Sequence, residues 1–246
     1  MKKIQLIVPL FVVALFCLAF SCQENTGYSL GDFRIGIATI KAESDNSYSL
    51  LLDNGQHLWP AASDVHHSYK NKQRVFINYT ILSDRQNGYD HYVKVNDMWP
   101  ILTKQIVELN SDNELEIGND PIQVNAAWIG GDFLNIDFMF NYGGKRPHYI
   151  NLVKNVLSPA GAPNVVELEF RHNAYNSTQS RLHEGFVCFD LSPLRSDFSD
   201  SVKIAIHVND PDEIKTYNLV YRYNEAAHRN SVMEAPVPII STEQYQ

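Results

Sequence analysis

Trp128-Ile129-Gly130-Gly131-Asp132-Phe133-Leu134-Asn135-Ile136-Asp137-Phe138 is the stretch whose reading decides the fold. Successive side chains of an extended chain point to opposite faces. Leu134, Ile136, Phe138 and Phe140 therefore share one side, and Asn135 and Asp137 the other. Val124, Ala126 and Trp128 are expected to make a similar face before the glycine pair, which places Trp128 in a core. Gly130-Gly131 permits φ > 0 and predicts two strands joined by a tight turn or bent by a bulge.

Toward the C-terminus the pattern repeats. Tyr149 to Val153 reads as a strand, and Val165 to Phe170 alternates with Val166, Leu168 and Phe170 inward and Glu167, Glu169 and Arg171 outward. Phe186 to Leu191, Val202 to Val208 and Tyr217 to Tyr223 follow, separated by Gly, Pro, Asn and Ser turns. Seven mostly half-solvated strands predict a two-sheet antiparallel sandwich. Gly118-Asn119-Asp120-Pro121 reads as a turn or linker and as the boundary of this domain.

Toward the N-terminus lie Phe33 to Ile40, Tyr48 to Leu52, His57 to Trp59, Arg74 to Leu82 and Tyr89 to Val95. Asn54-Gly55 is a strong hairpin signal. Five short strands in so short a span predict a small closed barrel of OB type. Ile101 to Leu109 fits a strand or a short helix, and its pattern does not decide. The fold class is thus all-β, an OB-like barrel followed by an antiparallel β-sandwich. The expected organisation is a signal segment over 1–21, a tether over 22–29, the barrel over 30–115, the sandwich over 116–225 and a loosely ordered tail over 226–246.

The leader carries its own chemistry. Lys2-Lys3 precede an apolar run that ends in Leu18-Ala19-Phe20-Ser21-Cys22. That is a secretory signal rather than a spanning helix. Its end resembles a bacterial lipobox, which implies cleavage before Cys22 and acylation there. Several acyl chains, each buried CH₂ contributing about 0.8 kcal/mol, would make the membrane anchor permanent. Gln23 after the cysteine implies the outer membrane, with the leaflet left open. Losing residues 1–21 removes Lys2 and Lys3 and no acid, leaving 18 basic against 28 acidic residues, a charge of −10. This argues against nucleic acid as a partner.

Cys17 belongs to the leader, so Cys188 is the thiol of the folded part and no disulfide framework forms. Gly185-Phe186-Val187-Cys188-Phe189 reads as a buried strand, where a cysteine is a small core hydrophobe. His66-His67 with His57 or His91 lack a carboxylate or cysteine to complete a metal set. Glu167 and Glu169 share a face, but a solvated strand with Arg171 as charge partner explains them. There is no G-x-S-x-G, P-loop, H-E-x-x-H or C-x-x-C. No catalytic, cofactor-binding or metal residue is assigned, and the chain is expected not to be an enzyme. Arg171, His172, Asn173 and Tyr175 form the candidate contact loop. Trp59 beside Pro60 and Trp99 beside Pro100 are the candidate exposed aromatics.

Several stretches together resemble the NigD-like lipoproteins of the Bacteroidales. They are Leu52-Asp53-Asn54-Gly55, Asn78-Tyr79-Thr80-Ile81-Leu82, Tyr89-Asp90-His91, Gly118-Asn119-Asp120-Pro121-Ile122, Trp128 to Asn135 and Glu169-Phe170-Arg171-His172-Asn173. The resemblance spans nearly the whole mature chain in order. It implies an N-terminal OB-like domain and a C-terminal β-sandwich, and it brings a suggested role in bacteriocin immunity. The usual OB helix between strands three and four has no room here. Asp200-Ser201-Val202 also resembles a bacterial O-glycosylation site, although a strand start explains it equally. Three functions follow as expectations: an interaction or immunity lipoprotein binding another envelope or secreted protein, a glycan-binding accessory lipoprotein, and a hydrolase for which no acid/base pair can be assembled.

Overall fold

The computed structural model describes residues 27–43, 47–65, 70–144, 146–158, 162, 164–178 and 181–223. Cys22, His66-His67 and the tail expected over 226–246 lie outside them.

The first domain is a closed barrel of β1 (Phe33–Ala42), β2 (Tyr48–Leu52), β3 (His57–Ser63), β4 (Arg74–Ser83) and β5 (His91–Pro100). Its strand order is β1-β2-β3-β5-β4, with β3 and β5 parallel. Alternation fills it as expected. Val75, Ile77, Tyr79 and Ile81 point inward against Ile40, Leu50, Leu58 and Val93. Each such aliphatic side chain contributes roughly 1.5–3 kcal/mol by leaving water. Gly55, at φ 79°, closes the β2–β3 turn. The β4–β5 connection is a short hairpin without a helix.

The second domain is a sandwich. One sheet runs β14-β13-β11-β10-β7 and the other β6-β12-β9-β8. Its strands are β6 (Leu102–Gln105), β7 (Val107–Leu109), β8 (Gln123–Gly130), β9 (Phe133–Tyr142), β10 (Tyr149–Asn155), β11 (Val165–Asn173), β12 (Arg181–Asp190), β13 (Ser201–Asn209) and β14 (Ile214–Arg222). A single helical turn, α1 (Glu114–Ile117), precedes β8. The seven expected strands are all present. Leu134, Ile136, Phe138 and Phe140 of β9 pack on Leu152, Leu168 and Phe170 of the facing sheet.

Three details depart from the sequence reading. Ile101 to Leu109 is two strands, and each joins a different sandwich sheet: β6 pairs parallel with β12, and β7 parallel with β10. The sandwich therefore begins at Leu102, and the boundary is not at 115/116 but at the β5–β6 junction. The sandwich is also not wholly antiparallel. The chain leaves β11, adds β12 to the opposite sheet and returns at β13, so β11 and β13 pair parallel. Finally, the register shifts between Val124 and Ala126. That bulge inverts the alternation, so Ala127 and Ile129 meet the sandwich core while Trp128 turns to the other face. Trp128 does not share the face of Val124.

Candidate functional site between the two domains

Asn135 and Asp137 point away from the sandwich core, yet they are 0% and 5% exposed. The barrel covers the outer face of β9. At the centre of that contact Arg74, at the start of β4, is fully buried. Its Nη1 donates to Thr39 Oγ1 at 2.9 Å and lies 2.6 Å from Asp53 Oδ1. Its Nη2 donates to Asp53 Oδ2 at 2.8 Å and to Asn135 Oδ1 at 2.9 Å. Asn135 Nδ2 donates to the same Asp53 Oδ2 at 2.8 Å, and the Cys188 thiol donates to Asn135 Oδ1 at 3.1 Å. The guanidinium also lies over the Phe133 ring, 4.9 Å from its centroid. Burial alone would discourage charge on Arg74, but the Asp53 carboxylate outweighs it and holds the guanidinium ionised. Burial pushes the Cys188 thiol up to about 11, so it stays protonated as a donor.

Beside this polar cluster runs an apolar seam. Ile37, Phe76 and Ile101 meet Phe133, Phe186, Cys188 and Trp128. Phe76 and Phe186 stand 5.0 Å apart between ring centroids, and Trp128 and Phe186 5.5 Å. Two contacts fix how the faces align: Arg74 meets Asn135, and Phe76 meets Phe186, which lies opposite Asp137. Both faces then run on in the same sense beyond the seam. On the barrel the outward residues continue from Ile37, Phe76 and Trp99 to Ile35 and Asn78, and then to Phe33 and Thr80. On the sandwich they continue from Asp137 and Phe186 to Met139 and Glu184, and then to Leu182. This barrel wall mixes exposed apolar side chains, Trp99 at 47%, Ile35 at 47% and Phe33 at 62%, with the polar Asn78, Asn96 and Asp97. Asn96 Nδ2 donates to Asn78 Oδ1 and to Thr80 Oγ1, both at 3.0 Å, forming a polar ladder along that wall. On the sandwich side, burial pushes the Asp137 carboxyl up, Asn125 opposes this by a 3.2 Å hydrogen bond, and Glu184 adds a like charge.

The residues singled out from sequence fall in separate places. Trp99 is exposed on the outer face of the barrel. Trp59 is half-buried against Tyr89, 5.0 Å between centroids, and is not freely exposed. Arg171 and His172 belong to β11 and are 8% and 3% exposed, so they are no contact loop. Arg171 pairs with Glu169 on its own strand. His172 points inward. Its Nδ1 lies 3.2 Å from the Pro121 carbonyl oxygen, which can only accept, so Nδ1 carries the proton. Nε2 therefore accepts from Nδ1–H of His148 at 2.8 Å. Burial lowers both imidazoles, His148 to about 4. Asn173 Nδ2 donates to the Leu115 and Glu116 carbonyls, tying α1 to β11. Tyr175 sits at φ 49° in the following turn under the Arg146 guanidinium, 3.3 Å from the ring centroid. Glu167 is held by His207 at 2.7 Å. His57 bonds Ser49 Oγ, and His91 lies 3.4 Å from Gln56. Among the described residues no cluster of three or more His, Cys, Asp or Glu could hold a metal ion.

Two family models cover most of the chain. The NigD-like N-terminal OB domain matches residues 37–101, and the NigD-like C-terminal β-sandwich domain matches 105–221. The chain belongs to the NigD-like family. The gap between the two matches, 102–104, falls within β6, directly after the barrel. Among solved structures similar to this chain is a protein from Parabacteroides distasonis described as toxin-related. It is 36% identical, covers 80% of this chain and 96% of its own, and superposes with a TM-score of 0.68. A protein of unknown function from Bacteroides vulgatus is 29% identical, covering 87% of this chain and all of its own at a TM-score of 0.69. A NigD-like immunity protein from Bacteroides caccae is 19% identical, covering 80% and 100% at a TM-score of 0.61, a likeness of fold. Among curated proteins none matches the chain. In this NigD-like chain the residues that join the domains, Arg74, Asp53 and Asn135, carried no functional signal in the sequence. Arg74 reads there as a strand start, Asp53 as a turn residue and Asn135 as an outward-facing strand residue.

Proposed function

We propose that this NigD-like chain is an outer-membrane lipoprotein, acylated at Cys22, that acts by binding another envelope or secreted protein and performs no catalysis. The observation that carries the binding role is the run of exposed Phe33, Ile35, Leu82 and Trp99 on one outer barrel face. Large apolar side chains left exposed together on one face mark interaction sites on soluble domains. The anchor is supported by the apolar leader ending in Ser21-Cys22. Among the described residues no helix is long and apolar enough to cross a membrane. Family resemblance supports bacteriocin immunity as one setting for the interaction. Intact mass of the purified protein should show loss of residues 1–21 and gain of lipid. A pull-down from detergent-solubilised envelope should recover a partner that Trp99→Ala releases. Robust turnover of a glycan or peptide by the purified protein, abolished by one carboxylate change, would defeat the proposal.

A second reading rests on Trp99 itself. Its exposed ring stands beside Asp97 and the Asn78–Asn96 ladder, an arrangement in which a sugar ring could stack while its hydroxyls bond the amides. A glycan-binding accessory lipoprotein would then be the function. Glycan arrays separate the two, because a polypeptide partner predicts no glycan signal dependent on Trp99.

A further inference from the structure

We infer that the end of the barrel carrying Tyr28, Leu30, Phe33 and Leu82 rests on the bilayer that holds the chain, with these side chains entering the headgroup boundary of a zwitterionic lipid surface. The inference deepens the lipoprotein reading above and rests on it. It gives the near end of the exposed run to lipid and leaves Trp99 to the protein partner.

The chain enters the fold at this end. Tyr28 Oη donates to Asp84 in the β4–β5 connection, and its ring stands edge-on to His91, 6.4 Å between centroids. Phe33 opposes Thr80 in the β1–β4 ladder. Leu82 lies on β4 between those two attachment points. Leu30 lies in the turn between Tyr28 and Phe33, where the Asp32 N–H donates to the Ser29 carbonyl at 3.0 Å. One barrel end thus gathers four exposed apolar or aromatic side chains, of which Leu30 is 75% exposed. From Cys22 to Gly27 is five residues, so an acylated Cys22 keeps Gly27 within about 18 Å of the bilayer. This end of the barrel is therefore the part of the fold held at the lipid.

Its chemistry suits that position. Leucine and phenylalanine left exposed in the free domain gain by leaving water. Tyr28 has the apolar ring and polar tip of an interfacial residue. Arg34 and Arg85 stand among Asp32, Asp84 and Asp90, and Arg85 is already paired with Asp90 at 2.7 Å, so the rim offers no net positive surface. With a mature charge of −10, an anionic lipid surface would repel the chain, which leaves a zwitterionic one. Trp99 opposes Phe76, six residues along β4 from Leu82. That is about 20 Å along the strand. Interfacial side chains enter a bilayer by only about 5–10 Å, so Trp99 stays in water.

The test attaches the anchor chemically. The mature chain beginning at Cys22 is coupled through that thiol to a maleimide bearing one myristyl chain, Cys188 being buried and protonated. One such chain gives only marginal, reversible membrane binding, so a second contact is readable. In sedimentation with phosphatidylcholine vesicles, wild type should partition about tenfold or more tightly than Leu30→Ser/Phe33→Ser, with circular dichroism unchanged. The control Leu115→Ser/Ile214→Ser removes two exposed apolar side chains from the sandwich and should change partition by less than about twofold. The emission added by Phe33→Trp should be quenched by lipid brominated on its acyl chains, and that added by Ile214→Trp should not. Equal partition of wild type and Leu30→Ser/Phe33→Ser would overturn the inference. Equal weakening by both pairs would show general stickiness and would also overturn it. So would release of an envelope protein, or of a second copy, by Leu30→Ser/Phe33→Ser with vesicle partition unchanged, since the occupant would then be protein. Absence of lipid on the cell-derived chain, read by intact mass, would defeat the lipoprotein reading and this inference with it. A lipidated chain whose rim variant partitions like wild type would defeat the inference alone.

Discussion

The carboxylate of Asp53 occupies the place where a side chain on Gly130 would begin: a Cβ added there would lie 2.1 Å from Asp53 Cγ. One turn belongs to the barrel and the other to the sandwich, so each hairpin is shaped by its partner. Gly131, at φ 58°, provides the turn, while Gly130 provides the room. Gly130→Ala should therefore destabilise the whole chain by roughly 2–4 kcal/mol, since Asp53 would have to leave Arg74. Gly131→Asn, which tolerates positive φ, should cost less than about 1 kcal/mol. Urea denaturation of both variants checks the difference; equal effects would refute the close approach as the cause.

Arg74 is a buried cation whose neutralisation depends on one acid. Asp53→Ala should cost about 3–5 kcal/mol because it leaves the guanidinium without its counter-charge. Arg74→Met with Asp53→Leu should recover much of that loss, because a matched apolar pair has no desolvation to offset. A double-mutant cycle in chemical denaturation measures the coupling, and additive single effects would show that the pair is not a unit.

The His148–His172 pair predicts a pH dependence. Both imidazoles are held neutral in the fold, with pKa values below the ordinary value near 6.5. As pH falls below about 6.5, the unfolded chain binds protons that the folded chain refuses. Stability is therefore full above that pH and is lost progressively toward pH 4, on the order of 3 kcal/mol for His148. His183 and Asp120 stand nearby and act in opposite senses on His148, the imidazole against its protonation and the carboxylate for it. His148→Phe should flatten the stability profile between pH 4 and 6.5 relative to wild type. An unchanged slope would sink the assignment.

Cys188 is fully buried and protonated, so alkylation should report opening of the interdomain contact rather than thiol reactivity. Folded protein should label with iodoacetamide at a rate that rises with urea in step with Asp53→Ala destabilisation. Rapid labelling in native buffer would show that the seam is not closed.

Most of the strands were legible because one face of each is buried against its own domain, and such a strand must alternate. The alternation of Leu134, Ile136 and Phe138 carries that information within a few residues. What was not legible is the second burial of β9. Asn135 and Asp137 read as solvent-facing because their cover comes from a different domain, and Arg74 looks like the polar start of a strand until Asp53 and Asn135 are brought to it. Trp128 was misplaced for a local reason: one extra residue between Val124 and Ala126 reverses every side chain after it. Arg171-His172 misled by composition. A polar pair at a strand end suggested a loop, whereas the imidazole fills the end of the sandwich core and the guanidinium lies along β11. Trp99 was legible as exposed because Pro100 ends its strand.

The split of Ile101 to Leu109 into β6 and β7 has a consequence for dissection of the chain. A C-terminal piece begun at Gly118 would lack one edge strand from each sheet, uncovering the flank of β12 on one side and of β10 on the other. Such a piece should aggregate through those raw edges. A piece begun at Ile101 keeps both. The few residues leaving the barrel act as a clasp that grips both halves of the sandwich, so the second domain becomes complete only when the first has delivered its last strand.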